Sequence, residues 1–164
     1  MKRALMIAVG IVGIGGAGVL VHDTDAHGRC VRLKGKGGIR SSQVTTGCTS
    51  PVGLCTAGVY QGEWFLEGTT SFVADALAPS AGLPGAVEAP TTLSYSGLLT
   101  ITTPDGTLTT RDTGIFDTAN GLFAARDLVV GGTGDFAGAT GYIFWTGTGV
   151  TEFDARSTGE LCFK

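Results

Sequence analysis

Histidine is almost missing from this chain. The 164 residues hold two, His22 and His27, and both precede the region where strands can be read. No Ser–His–Asp set can form beyond them, and no imidazole is there to activate a thiol or complete a zinc site. Cysteine is limited to Cys30, Cys48, Cys55 and Cys162. The nearest two are spaced C-x6-C, outside the usual zinc spacing, so we expect no metal. Proline is sparse, and Pro79, Pro84 and Pro90 fall in one stretch. Beyond the N-terminal apolar run, no segment repeats apolar residues at the 3.6 spacing of an amphipathic helix. That excludes helical folds.

What is abundant is glycine, with 28 residues, together with threonine. The glycines follow no Gly-X-Y period, so collagen is excluded. The mixture is that of strands joined by many turns. Strands are expected over 57–66, 69–77, 91–103, 107–117, 122–130, 142–150 and 158–163, with a short one near 43–46 making eight. In the third, Leu93, Tyr95, Gly97, Leu99 and Ile101 share one face. Pro104-Asp105-Gly106 and Ala119-Asn120-Gly121 are hairpin turns, and Ala78 to Pro90 is the one long loop. Short strands with tight turns, and glycines within them at Gly97, Gly114, Gly141 and Gly147, predict an all-β fold. We expect a single eight-stranded antiparallel up-and-down, calycin-like β-barrel. A barrel of that size holds at most one small ligand.

The N-terminus reads as a secretory signal. Lys2-Arg3 lead an apolar run, Ala4 to Val21, and Thr24-Asp25-Ala26 offers small residues for cleavage after Ala26. A membrane anchor is the lesser alternative, since about 18 apolar residues is at the short edge of a span. The expected organisation is a signal peptide over 1–26, a basic cysteine-containing segment over 27–55 and the barrel over 56–164.

Export would place four cysteines in an oxidising compartment, where an even count reads as two disulfides. Of the three pairings, Cys48–Cys55 and Cys30–Cys162 are preferred: one closes a short loop, the other ties the ends together. Between His27 and Arg40 the basic residues are Arg29, Arg32, Lys34, Lys36 and Arg40, without an acid among them. Such a head is either a site for an anionic envelope surface or a solvated leader. It has no aromatic residues for base stacking, so nucleic acid is not an expected partner.

Val129-Val130-Gly131-Gly132-Thr133-Gly134-Asp135-Phe136 suggests a nucleotide loop until its sequel is read. A dinucleotide fingerprint needs a helix directly after the glycines. Here Gly132, Gly134 and Gly138 give GxGxxxG, and Tyr142-Ile143-Phe144-Trp145-Thr146 follows, which is strand chemistry. A tight bend between strands is expected. This bend, with Ala139-Thr140-Gly141-Tyr142 after it, resembles the signature of the allene oxide cyclase and dirigent barrel superfamily. Gly68-Thr69-Thr70-Ser71-Phe72-Val73-Ala74-Asp75-Ala76-Leu77 is similar to the first dirigent strand. The likeness covers roughly residues 56–150. The segment Cys48 to Cys55 ahead of it is similar to a bacterial secreted branch.

The resemblance implies a barrel that binds a small hydrophobic or phenolic molecule, works without a cofactor as a cyclase or isomerase, and forms a homotrimer. It places Asp75 where a dirigent acid stands, making it the candidate catalytic acid, although Ala76 replaces the following proline. Thr140 stands where dirigent proteins carry arginine, which removes a partner for a quinone-methide oxygen.

From the residues themselves, Arg111-Asp112 and Arg126-Asp127 must each put one charge inward and one outward. A polar cavity floor would pair Arg111 or Arg126 with Asp117 or Asp75; the plain alternative is surface ion pairs. Trp64, Tyr95, Tyr142 and Trp145 would line a pocket or fill the core. The expected ligand-binding set is Tyr95, Arg111, Asp117, Arg126, Tyr142 and Trp145. The alternative function is a non-enzymatic, envelope-associated structural or stress protein with a filled barrel.

Overall fold

The computed structural model describes residues 28–80 and 91–164. The signal-peptide reading and most of the long loop lie outside them. Within them the chain runs β1 (Arg29–Gln43), β2 (Cys55–Gln61), β3 (Gly68–Pro79), β4 (Thr92–Thr103), β5 (Gly106–Asp117), β6 (Leu122–Gly132), a 3₁₀ turn (Gly134–Phe136), β7 (Thr140–Gly149) and β8 (Glu152–Phe163). Each strand pairs antiparallel with the next, and β1 pairs with β8, closing an eight-stranded up-and-down barrel. Closure leaves no free sheet edge.

The basic stretch is neither a leader nor a separate segment. It is β1, the strand that closes the barrel, so the barrel begins at Arg29 rather than at residue 56. Small and polar residues on one face and Leu33 and Ile39 on the other gave it a half-buried pattern that its charges concealed. Arg32 and Arg40 project outward and pair with Glu160 and Asp154 of β8 at 3.1 and 3.2 Å. Across the same seam Cys30 and Cys162 are directly opposed and joined, and Cys48–Cys55 closes the β1–β2 loop. Both preferred pairings are formed. Two disulfides fit an oxidising compartment. Among the described residues no helix is long and apolar enough to cross a membrane.

The glycine bend makes one 3₁₀ turn and no longer helix. Gly134 has φ +57°, and a Cβ there would lie 2.0 Å from the Asp105 carbonyl oxygen, so only glycine lets the bend press onto the β4–β5 hairpin. The Asp135 N–H donates to that same carbonyl at 2.9 Å. Phe136 turns inward behind it and is buried. With Leu33, Tyr60, Leu66, Ile101, Leu108, Ile143 and Leu161 it fills this end of the barrel. Each such side chain contributes about 1.5–3 kcal/mol on burial.

Candidate functional site

The strand registers stack the interior into tiers. At the open end Leu93, Phe116 and Phe123 are successive neighbours across β4, β5 and β6. One tier deeper come Tyr95, Gly114, Ala125 and Trp145 across β4 to β7. Below them lie Gly97, Asp112, Asp127 and Ile143 in the same order. Leu99, Thr110 and Val129 follow, and beneath these the packed end begins.

The upper tiers enclose a cavity of about 300 Å³. Its wall is mostly apolar and includes Phe72, Leu77, Tyr95, Trp145 and Phe153. Val52 and Leu54, from the loop closed by Cys48–Cys55, form part of the rim. That loop is held by Ser50, whose hydroxyl donates to the Ala74 carbonyl at 2.6 Å and accepts from the Val52 and Leu54 N–H groups. Tyr95 crosses the interior because Gly114 has no side chain: a Cβ there would sit 2.6 Å from the phenol carbon and oxygen. A larger depression, about 560 Å³, lies at the closed end beside Arg29, Trp64, Phe163 and Lys164. Its charged residues carry both signs and none is buried, so it lacks the desolvated polar group that marks the first cavity.

That group is a pair of carboxyls. Asp112 and Asp127 face one another from β5 and β6; Asp112 is on the cavity floor and Asp127 is fully buried behind it. Asp127 accepts a short hydrogen bond from the Thr110 hydroxyl. One oxygen of each aspartate is buried without a partner, as is the Trp145 indole N–H. Burial pushes both acids above the ordinary carboxylate range. For Asp112 the charge of Asp127 adds to burial, while the Thr110 hydroxyl and then the nearby indole hold Asp127 lower. Two opposed carboxyls in apolar surroundings do not both ionise readily. Asp127 gives up its proton first and Asp112 keeps one. Burial, then the charges of the two aspartates, also raises the Tyr95 phenol.

The predicted residues divide between wall and exterior. Tyr95 and Trp145 line the cavity. Asp75, the candidate catalytic acid, is on the outer surface. Thr70, Phe72 and Ala74 take the inward positions of β3, and a bulge between Ala74 and Ala76 then turns Leu77 inward. Asp75 accepts from Ser96 Oγ at 2.7 Å and pairs with Arg111, which first of all holds its carboxyl below the usual range. Arg111 and Arg126 therefore do not make a cavity floor; in both dipeptides the aspartate points in and the arginine out. Asp117 closes the β5–β6 turn, accepting from the Asn120 side chain at 2.6 Å and from the Ala119 N–H at 3.0 Å. Tyr142 is outward, edge-on to Phe144 with ring centroids 5.3 Å apart. Tyr142 and Trp145 are three residues apart, and a regular strand cannot point both the same way.

The two interior acids missed from the sequence are Asp112 and Asp127. On β5 the signal was available: Leu108, Thr110, Asp112, Gly114 and Phe116 form one alternating set whose apolar ends mark it as inward. No family model, curated protein or solved structure matches this chain.

Proposed function

We propose that this chain is a small-molecule-binding barrel that takes a hydrophobic ligand through its open end. The observation that carries this reading is the cavity itself: about 300 Å³, apolar-walled, with Asp112 on its floor and Asp127 buried behind it. Small-ligand sites have this character, an apolar concavity with few convergent polar groups and perturbed acids. The resemblance to allene oxide cyclase and dirigent barrels agrees with the eight-stranded closed architecture. In a cofactor-free cyclisation or isomerisation, Asp112 and Asp127 would be the acid and base in place of Asp75, because among the described acids these two are the buried ones. The disulfides favour a secreted protein, with residues 1–26 as its leader. Leu128, Val130, Tyr142 and Phe144, exposed on β6 and β7, offer an apolar outer face for the homotrimer that the resemblance implies.

The envelope-binding alternative draws less support, because Arg32 and Arg40 are already engaged by Glu160 and Asp154. The test is native mass spectrometry of the full chain purified without detergent. A bound small molecule, lost when Ala125→Trp fills the cavity, is the expected result. A bare chain that also takes up no neutral hydrophobic molecule would overturn the reading.

A further inference from the structure

The floor of the cavity specifies the headgroup of its occupant, an inference that rests on the cavity being a ligand site. Three buried polar atoms on or just behind the floor, Asp112 Oδ1, Asp127 Oδ1 and Trp145 Nε1, have no hydrogen-bond partner of full geometry, although the indole and the two carboxyls are close enough to act on one another. Trp145 is itself 3% exposed. Among the described residues no lysine, arginine or histidine lines the cavity; its ionisable wall residues there are Asp112 and Tyr95. The arginines adjacent in sequence are spent outside, Arg111 on Asp75 and Arg126 toward solvent. The interior thus holds negative charge that the protein does not neutralise.

An occupant with a carboxylate, phenolate or phosphate at its deep end would add a like charge to this floor. A neutral hydroxyl would satisfy one acceptor and leave the charge. An ammonium group suits the floor in two ways: it donates hydrogen bonds to a carboxylate oxygen and sets a positive charge against the negative one. The next tier suits it as well, because the Tyr95 ring lies over Gly114 and Trp145 follows Ala125, in the tier next to the two aspartates. Aromatic faces attract a desolvated cation. Above that tier Leu93, Phe116 and Phe123 offer only apolar surface, fit for a hydrocarbon tail.

We propose that the barrel binds a lipophilic amine, ammonium end first, with the ammonium seated on Asp112, backed by the buried Asp127, and the apolar body in the outer tier. The ammonium takes the place of the proton that Asp112 holds in the empty barrel, so binding releases that proton to solvent. Among the described residues the groups facing Asp112 are Tyr95 from β4, Asp127 from β6 and uncharged residues from the other strands of the wall, while Arg111, its neighbour on the outer face, draws the Asp112 carboxyl down against burial and Asp127.

The experiment is calorimetric titration of the full chain, disulfides intact, with octylamine, octanol and octanoate at neutral pH. These share a chain and differ in the headgroup. Octylamine should bind at least tenfold more tightly than octanol and octanoate more weakly than either. The enthalpy for octylamine should vary with the buffer, reporting proton release. In Asp112→Asn the amine should lose its advantage while octanol binds as before. Should that variant not fold, the wild-type preference for amine over alcohol should still grow as pH rises from about 5 to 8, the range in which Asp127 loses its proton and the floor gains its charge. Octanol binding as tightly as octylamine would overturn the amine headgroup and leave the small-molecule cavity standing. Failure of all three to bind would overturn the cavity reading and this inference with it.

Discussion

Asp112 and Asp127 are direct cross-strand partners on β5 and β6, and both point into the barrel. Like charges directly opposed on one face destabilise a ladder, and burial increases the cost. In the unfolded chain Asp112 ionises near 3.8; in the folded chain burial and Asp127 push it up to about 9. Between those values the folded state holds the extra proton, so stability falls as pH rises. Below 3.8 both states are protonated and the contribution vanishes. Asp112→Asn should therefore leave stability near pH 4 almost unchanged and raise it by about 1–3 kcal/mol near pH 9. Urea unfolding of both proteins across that range measures the difference. Parallel pH curves would show that Asp112 ionises in the fold without penalty.

Gly114 sets the position of the Tyr95 ring. A Cβ at this position would meet the phenol at 2.6 Å and the Ala124 carbonyl oxygen at 2.8 Å. Gly114→Ala should cost about 1–3 kcal/mol by overpacking and drive the phenol further into the cavity. Hydrophobic ligands should bind at least tenfold more weakly, a drop that calorimetry would read directly. Tyr95→Phe keeps the ring and removes the hydroxyl, so it should change affinity far less.

Arg111 and Asp75 form an ion pair on the outside of the barrel, with side chains 39% and 44% exposed. Exposed pairs contribute about 0–1 kcal/mol and weaken with salt. Asp75→Asn should consequently leave ligand affinity and any turnover unaltered, with a change in melting temperature of a few degrees at most. A large loss of binding in this variant would place the functional surface on the outer wall of β3 and β5.

β4 and β5 were readable because they alternate cleanly around strong turns at Asp105-Gly106 and Asn120-Gly121, whereas the short strand expected near 43–46 falls mostly in the β1–β2 loop and the eighth strand is the basic β1. Which way each strand faces was harder. On β6 the inward set is Phe123, Ala125, Asp127 and Val129, and the outward set is Leu122, Ala124, Arg126, Leu128 and Val130. The outward set is the more apolar, so hydrophobicity alone points the wrong way there. On β7, Tyr142 and Phe144 face out while Ile143 and Trp145 face in, again with apolar residues on both sides. Register supplies what composition does not: Asp112 is inward by its own strand, and its pairing with Asp127 then fixes β6. The residues of β1 were legible as a basic run but not as a strand, since only pairing with β8 reveals its buried face.

The two disulfides act on different properties, and separate variants should show it. Cys30–Cys162 spans 132 residues and joins directly opposed positions on the seam that closes the barrel. The chain-entropy relation gives about 5 kcal/mol for a loop of that length. Cys48–Cys55 spans 7 residues, for which the same relation gives about 2 kcal/mol. Yet its loop carries Val52 and Leu54, which form part of the cavity rim, whereas neither Cys30 nor Cys162 lines the cavity. Replacing Cys30 and Cys162 by serine should lower the unfolding free energy by the larger amount and leave ligand affinity intact in the fraction that remains folded. Replacing Cys48 and Cys55 should cost less stability and speed ligand dissociation several-fold, because the rim loses the crosslink that holds it closed. Denaturant unfolding and stopped-flow release, run on both double variants, separate the two effects. If the seam variant released ligand faster and the rim variant did not, access to the cavity would be governed by opening between β1 and β8 rather than at the mouth.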